Sequence, residues 1–249
     1  MNFTGHNLKR SIDILVSAFG LFVSSPILIP VVFIVWLQDF RSPFYIAPRV
    51  GANEKTFRMI KLRSMIVDAD KTGVDSTSAN DSRITSIGRF IRKYKLDELT
   101  QLINVLKGDM SLVGPRPNVE NETKSYTNEE KILLTVRPGI TDFSSIVFSD
   151  EGDILKGSEN PDLLYNQIIR PWKSRLGLLY IEKSNIILDI KIIILTAIAI
   201  LNKEKALKSI SNILTKLGAD EKIIKVSLRK DKLIPHPPPG SDKVVNDRV

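Results

Sequence analysis

The sequence predicts a mixed α/β chain, mainly helical with a few short strands, attached to a membrane by an N-terminal re-entrant helix-break-helix and by interfacial amphipathic helices. Three observations carry that reading: an uncharged stretch of membrane-spanning length near the start, two runs with the 3.6-residue apolar period in the middle, and a second apolar stretch interrupted by charge near the end. With 249 residues and 43% hydrophobic content, the chain can bury a substantial core. A formal charge of +8 and a pI of about 9.5 imply an anionic partner: nucleic acid, acidic lipid or a phosphate-bearing small molecule. There is no cysteine, which excludes disulfides and thiolate metal sites. His6 and His236 are the only histidines, so any metal is expected to be a hard cation held by oxygen.

From Ile14 to Gln38 no residue is charged ("ILVSAFGLFVSSPILIPVVFIVWLQ"). At about 1.5 Å per residue this could cross a hydrocarbon core about 30 Å thick. The run is longer than a signal-peptide core and no small-residue cleavage site ends it, so the segment is expected to stay. Pro26 removes a helical N–H in mid-segment and pushes Ser25 away from the α region, which predicts a break at Ser24, Ser25 and Pro26. Two readings are open: a kinked span whose freed carbonyls are met by serine hydroxyls, or a helix-break-helix that returns to the face it entered from. Lys9 and Arg10 precede the run, and Arg41 and Arg49 follow it. Cations at both ends favour the re-entrant form.

The rest divides into a globular part over 42–202 and a Lys-rich C-terminal part over 203–249, after the membrane segment of 1–41. "SPFYIAPRVG" and "TFRMIKLRSM" read as strands about a Gly51-Ala52-Asn53 turn, with Phe57, Met59 and Lys61 on one face. Ser86 is placed to cap a helix through "IGRFIRKY", whose Ile87, Phe90, Ile91 and Tyr94 share a face opposite Arg89, Arg92 and Lys93. Asp97 is placed to cap the next helix, in which Leu99, Leu102, Ile103 and Leu106 repeat the spacing before Gly108 ends it. The adjacent acids Asp97 and Glu98 are either an ordinary cap with basic neighbours or a reactive pair, and local spacing leaves both open.

"GDMSLVGPRPN" and "VRPGIT" present Arg116 and Arg137 from proline-stiffened turns, for which a rigid surface turn is the plainer reading. "NPDLLYNQIIRPWKSRLGLLYIEKS" reads as helix interrupted at Pro171. "NIILDIKIIILTAIAIL" reads as a helix in the core or at the membrane interface, with Asp189 paired to Lys191 and Trp172 close to headgroups. "HPPPGSDKVVNDRV" reads as a disordered tail.

The ordered series "KRSIDILVSA", "SSPILIP", "PRVG", "KLRSM", "IGRFIRKYKLDELTQLINVLKGDMSLVGPRPN", "RPGIT" and "YIEKSNIILDIKII" resembles the bacterial sugar transferase family. These are the monotopic phosphoglycosyl transferases that start lipid-linked glycan assembly. The resemblance covers roughly residues 7 to 202, and the block from Gly88 to Pro117 is long and specific. It implies transfer of a sugar-1-phosphate from a UDP-sugar to a polyprenol phosphate such as undecaprenyl phosphate, with release of UMP, at the cytoplasmic face of the bacterial inner membrane. It further implies Asp97 as the nucleophile that carries the phosphosugar, Glu98 beside it at a Mg²⁺ ion, and a re-entrant helix broken at Ser25 and Pro26.

Residue chemistry agrees with those implied roles. A carboxylate attacking an anionic diphosphate needs its repulsion offset, and a hard divalent cation held by Asp97, Glu98 and substrate phosphates would do that. Arg92, Arg116 and Arg137, with Lys61 and Arg63 of "KLRSM", are the candidate phosphate or nucleotide ligands. Two departures stand out. "DFSSIVFSDEGD" follows "RPGIT" where many members have Gly-Trp-Ala-Gln and an Asn-Gly-Arg turn, so the nucleotide or sugar pocket is expected to be built differently. The sequence also has no multi-span N-terminal region, resembling the minimal single-domain form. Two competing readings are a membrane-anchored basic scaffold and a transferase that moves the sugar alone and releases UDP. Nucleic-acid binding is not favoured, because the basic residues are interleaved with apolar faces and lack aromatic stacking signatures. Self-association into a homo-oligomer is left open.

Overall fold

The computed structural model describes residues 3–69 and 81–246. It is mainly helical with two small sheets, as the sequence predicts. Helix α1 runs from Phe3 to Leu37. Strands β1 (Phe44–Val50) and β2 (Thr56–Leu62) form an antiparallel hairpin about the expected turn, where Asn53 takes a left-handed φ of 54°. Then come α2 (Ser86–Lys93), α3 (Leu96–Leu99), α4 (Leu102–Lys107), β3 (Ser111–Val113), α5 (Glu120–Lys124) and β4 (Gly139–Thr141). Seven further α-helices follow among the described residues: α6 (Phe143–Val147), α7 (Glu151–Ile154), α8 (Pro161–Ile168), α9 (Arg170–Lys183), α10 (Ile186–Leu201), α11 (Lys203–Lys216) and α12 (Glu221–Ser227).

Helix α1 does not break where the prolines predicted. Pro26 cannot donate to the Phe22 carbonyl, and the Ser25 hydroxyl donates to it instead at 2.7 Å. The serine beside the proline thus supplies the bond that the proline removes, and the assigned helix continues to Leu37. One stripe of α1 faces protein along its length. Asp13, Ser17, Val31 and Val35 are buried, while Phe19, Phe22, Ile27 and Ile29 are each more than half exposed. The inner stripe is polar at its start: Asp13 accepts from the Ser111 hydroxyl (2.8 Å) and the Leu112 N–H (3.2 Å), and Arg10 donates to the Val105 and Leu106 carbonyls. At the other end Val31 and Val35 pack with Leu62 and Ile91 in a small apolar cluster. Among the described residues α1 is the one helix long and apolar enough to cross a membrane.

The main core joins β3, α4, α6, α9, α10 and α11 through residues such as Val105, Phe143, Leu176, Ile192 and Ile210. Several expected placements change. Trp172 is buried and stacks on His236 with ring centroids 4.5 Å apart, so it does not reach headgroups. Asp189 pairs with Lys9 at 2.5 Å and accepts from the Tyr180 hydroxyl at 2.6 Å, tying α10 to α1 rather than to Lys191. The chain after α12 is an extended strap, not a free tail: His236 N–H donates to the Gln167 carbonyl, the Thr127 hydroxyl to the Pro239 carbonyl, and Gln167 to the Val245 carbonyl. Pro237, Pro238 and Pro239 have no N–H of their own to pair, and their carbonyls accept from the Arg175 guanidinium, the Ser241 N–H and the Thr127 hydroxyl in turn. Residues 247–249 of that segment lie outside the described residues. The Pro171 interruption appears as expected, with α8 ending at Ile168 and Pro171 in the first turn of α9.

Candidate active site

The site begins with how β2 is held. Asn104 of α4, fully buried, accepts from the Ile60 N–H (2.9 Å) and donates to the Arg58 carbonyl (2.7 Å); the Thr100 hydroxyl donates to the Ile60 carbonyl (3.0 Å). These bonds fasten one edge of β2 to the turn that carries the acidic pair, and so bring Lys61 to Asp97. Two short helices stand where one was expected. The α3 helix ends at Leu99, and α4 begins at Leu102, with Gly108 closing it in a left-handed conformation.

Asp97 is not the cap. Lys95 holds the N-cap position with φ 56°, a left-handed conformation unusual for a side-chain-bearing residue, and Asp97 and Glu98 fall in the first turn. The preceding helix is likewise capped one residue early, by the Thr85 hydroxyl accepting from Gly88 N–H rather than by Ser86. Gly88 lies against the segment just after β2, where an added Cβ would stand 1.8 Å from the Ser64 carbonyl oxygen. This contact brings α2, with Arg92 in its last turn, down onto the site.

A cleft of about 1650 Å³ opens above the pair, lined by Lys61, Arg92, Lys95, Asp97, Glu98 and Arg116 among others. Asp97 is 9% exposed, and its Oδ1 has no hydrogen-bond partner among the described residues. Burial pushes the Asp97 carboxyl up, opposed by the charges of Lys61, Lys95 and Arg92. Burial lowers Lys61, while the Asp97 charge raises it. Glu98 differs: burial raises it, but Arg116, Lys61 and Lys95 outweigh that and hold it at about 2. Arg116 donates to both Glu98 oxygens, at 2.9 and 3.4 Å, and to the Ile140 carbonyl at 2.8 Å. The neighbouring acids are therefore distinct: Glu98 is tied into an ion pair, while Asp97 keeps an oxygen uncommitted.

The two proline-stiffened turns meet back to back. Gly114 N–H donates to the Thr141 carbonyl and Gly139 N–H to the Pro115 carbonyl, so close that a Cβ on Gly139 would stand 2.1 Å from Gly114 N. Both positions require glycine for this approach. The packing aims Arg116 into the cleft and leaves Arg137 exposed outside it. Of the expected cationic ligands, the fold thus gathers Lys61, Arg92 and Arg116 around the acids, but not Arg137. Arg63 reaches the cleft wall with its guanidinium engaged by Asp39 at 2.5 and 2.7 Å, an anchor for the end of α1.

Other cleft residues were not among the expected site residues. Glu122 accepts from Asn118 at 2.9 Å, and burial, with the Glu151 charge, raises it to about 7 against the pull of Lys173 and Arg170. Glu151 pairs with Lys173. Lys95 could have been suspected from its place beside the acids; Glu151 lies in the segment flagged as departing from the family pattern.

Among the described residues no three Asp, Glu or His side chains group as a metal cage. The residues present nevertheless fit a hard cation of the Mg²⁺ type, which is held by one or two carboxylates together with substrate phosphates. Asp97 Oδ1 is uncommitted, and Glu98 stands beside it ionised.

A model of the bacterial sugar transferases matches residues 4–203. An uncharacterized sugar transferase of Haemophilus influenzae is 35% identical over 214 residues, 80% of this chain and 42% of that protein. The undecaprenyl-phosphate glucose phosphotransferase of Komagataeibacter xylinus is 38% identical over 195 residues, 76% of this chain and 35% of its own. The undecaprenyl-phosphate galactose phosphotransferase of Salmonella typhimurium is 41% identical over 149 residues, 54% of this chain and 31% of its own. The chain thus spans less than half the length of each of these relatives. The matched residues run from α1 through the acidic pair and both arginine turns to the end of α10, and the protein belongs to the bacterial sugar transferase family.

Proposed function

We propose that the chain is a phosphoglycosyl transferase that moves a sugar-1-phosphate from a UDP-sugar to a polyprenol phosphate, giving UMP and a polyprenyl-diphosphate-sugar. The observation that carries this reading is Asp97: a buried carboxylate oxygen with no partner among the described residues, facing a cleft ringed by Lys61, Arg92, Lys95 and Arg116. The names of the relatives supply the lipid and sugar-phosphate chemistry.

An Asp97 oxygen attacks the β-phosphorus of the donor, the bond to the α-phosphate bridge oxygen breaks, and UMP leaves with that electron pair. The polyprenol phosphate oxygen then attacks the same phosphorus, and the aspartyl O–P bond breaks to restore the carboxylate. Dividing one transfer between two bulky anions into two steps is the use of covalent catalysis here. Arg116 and Arg92 offer planar forks to phosphate oxygens, and Lys61 a point charge beside the attacking oxygen. A Mg²⁺ ion at Asp97 and Glu98, when bound, would offset the repulsion between carboxylate and diphosphate.

We further propose a monotopic placement, with both ends of α1 on the cytoplasmic side. Its support is that Lys9, Arg10 and Asp13 near one end and Val35 and Asp39 at the other all contact the one globular body. A helix crossing away from that body could not keep both sets.

Asp97→Asn tests the reaction. It is expected to cut UMP release from a UDP-sugar at least about a thousandfold with the thermal transition retained. A variant with near-normal turnover would refute the nucleophile. UDP as product, rather than UMP, would refute the phosphosugar transfer.

A further inference from the structure

Beyond Arg116 the cleft wall is built by α6, α7 and the turn between them, the stretch that replaces the usual family sequence after the second arginine turn. Ser149, Glu151 and Asp153 line the cleft here. Glu151 lies close enough to Arg116 and Lys95 to feel their charges. Its partner Lys173 rests 5.0 Å over the Tyr165 ring. The carboxylates of Glu151 and Asp153 repel phosphate, while carboxylates and the Ser149 hydroxyl alike suit sugar hydroxyls, and they adjoin the cations that suit a diphosphate.

This wall is gripped from outside the cleft. Asp150 Oδ2 lies 2.6 Å from Lys203 Nζ and 3.6 Å from Arg229 Nη2, and the Arg229 guanidinium sits 5.6 Å over the Phe148 ring. Lys203 opens α11, and Arg229 follows α12; the family match stops at residue 203. Arg229 has a φ of 54°, a left-handed backbone that a side-chain-bearing residue adopts at a cost. The turn it makes after α12 sends its side chain, only 13% exposed, back onto the cleft wall.

Resting on the phosphosugar-transfer reading, we propose that the C-terminal helices are a positioning brace in which Lys203 and Arg229 clamp Asp150 and so fix the Ser149–Asp153 wall against the sugar of the donor. Lys203 and Arg229 are positioning residues; they touch neither phosphate nor nucleophile. Lys61, Asp97 and Arg116 are held by β2, α3 and the Gly114–Gly139 turn pair, so losing the brace should loosen sugar reading and leave the chemical step in place.

The test uses the full chain in lipid nanodiscs, with Lys203→Met, Arg229→Met, the double variant and Arg229→Lys, and reads two quantities. The first is UMP release across a panel of UDP-sugars. The double variant is expected to raise donor KM about fivefold or more and to shrink the preference for the best sugar, with kcat within about twofold and with Arg229→Lys recovering most of the loss. The second is hydrogen exchange of residues 143–154, expected to quicken in the double variant while the amides of α9 and α10 stay protected. Unchanged exchange would overturn the brace, and quickened exchange with unchanged KM and sugar preference would overturn its role in reading the sugar. Absence of UMP release from every donor by the unaltered protein would refute the transfer reading, and the exchange result would still decide the brace.

Discussion

Two adjacent carboxylates, Asp97 and Glu98, end up with opposite properties because of one arginine. Arg116 takes both oxygens of Glu98 and holds it at about 2, while Asp97, turned toward Lys61, keeps a free oxygen and is pushed up by burial. A third cleft carboxylate gives a stability prediction. Glu122 is raised to about 7 from an ordinary 4.5, chiefly by burial. Folded Glu122 therefore prefers its proton: its contribution is fully present below pH 4.5, declines as the unfolded chain ionises, and is lost above about pH 7. The span corresponds to at most about 3 kcal/mol, reduced by its partial exposure. The melting temperature of the protein should fall between pH 5 and 8 more steeply than that of Glu122→Gln. Parallel curves would show that Glu122 titrates normally.

At the level of elements, the site depends on a clamp that no motif announced. Asn104 satisfies one N–H and one carbonyl of β2 from a fully buried position. Asn104→Ala would leave both groups unpaired, costing about 3 kcal/mol, and would free the strand that carries Lys61. A clear drop in melting temperature together with a rise in donor KM is expected; a stable variant with unaltered KM would count against the clamp. Legibility in the sequence followed locality. The hairpin about Asn53, the Gly108 terminus and the Pro171 interruption were readable because each depends on neighbours within a few positions; the α2 stripe was not, since Gly88 and Ile91 are buried while Phe90 and Tyr94 are exposed. The caps at Thr85 and Lys95 differed by one or two residues, since two candidates compete and tertiary contacts choose. Arg116 and Arg137 looked alike in sequence, and the Gly114–Gly139 contact separates them by turning one inward. Asp189 had a plausible partner two residues away, but its partner is Lys9, 180 positions distant, which no local pattern contains. The strap has the composition of a disordered tail, and the Trp172 ring with the Arg175, Gln167 and Thr127 groups, all distant in sequence, show why it packs against the body.

For the whole molecule, apolar side chains lie outward on two helices. Phe22 of α1 is 78% exposed, and Leu201 at the end of α10 is 89% exposed, a distribution suited to lipid rather than water. The monotopic proposal makes a sided prediction. Because the chain has no cysteine, Asn7→Cys and Arg41→Cys can each be labelled alone. In right-side-out and inverted vesicles both should react with an impermeant maleimide on the same face; reaction on opposite faces would establish a span. The polar stripe of α1 also bears on how the protein is made. Lys9, Arg10 and Asp13 find their partners 95 to 180 residues downstream, at Val105, Ser111 and Asp189. Helix α1 therefore leaves the ribosome carrying buried-type charges whose counterparts have not yet been translated. Its stable settling into lipid must wait for the last third of the chain, and nascent chains halted before Asp189 should remain extractable by alkali where the finished protein does not.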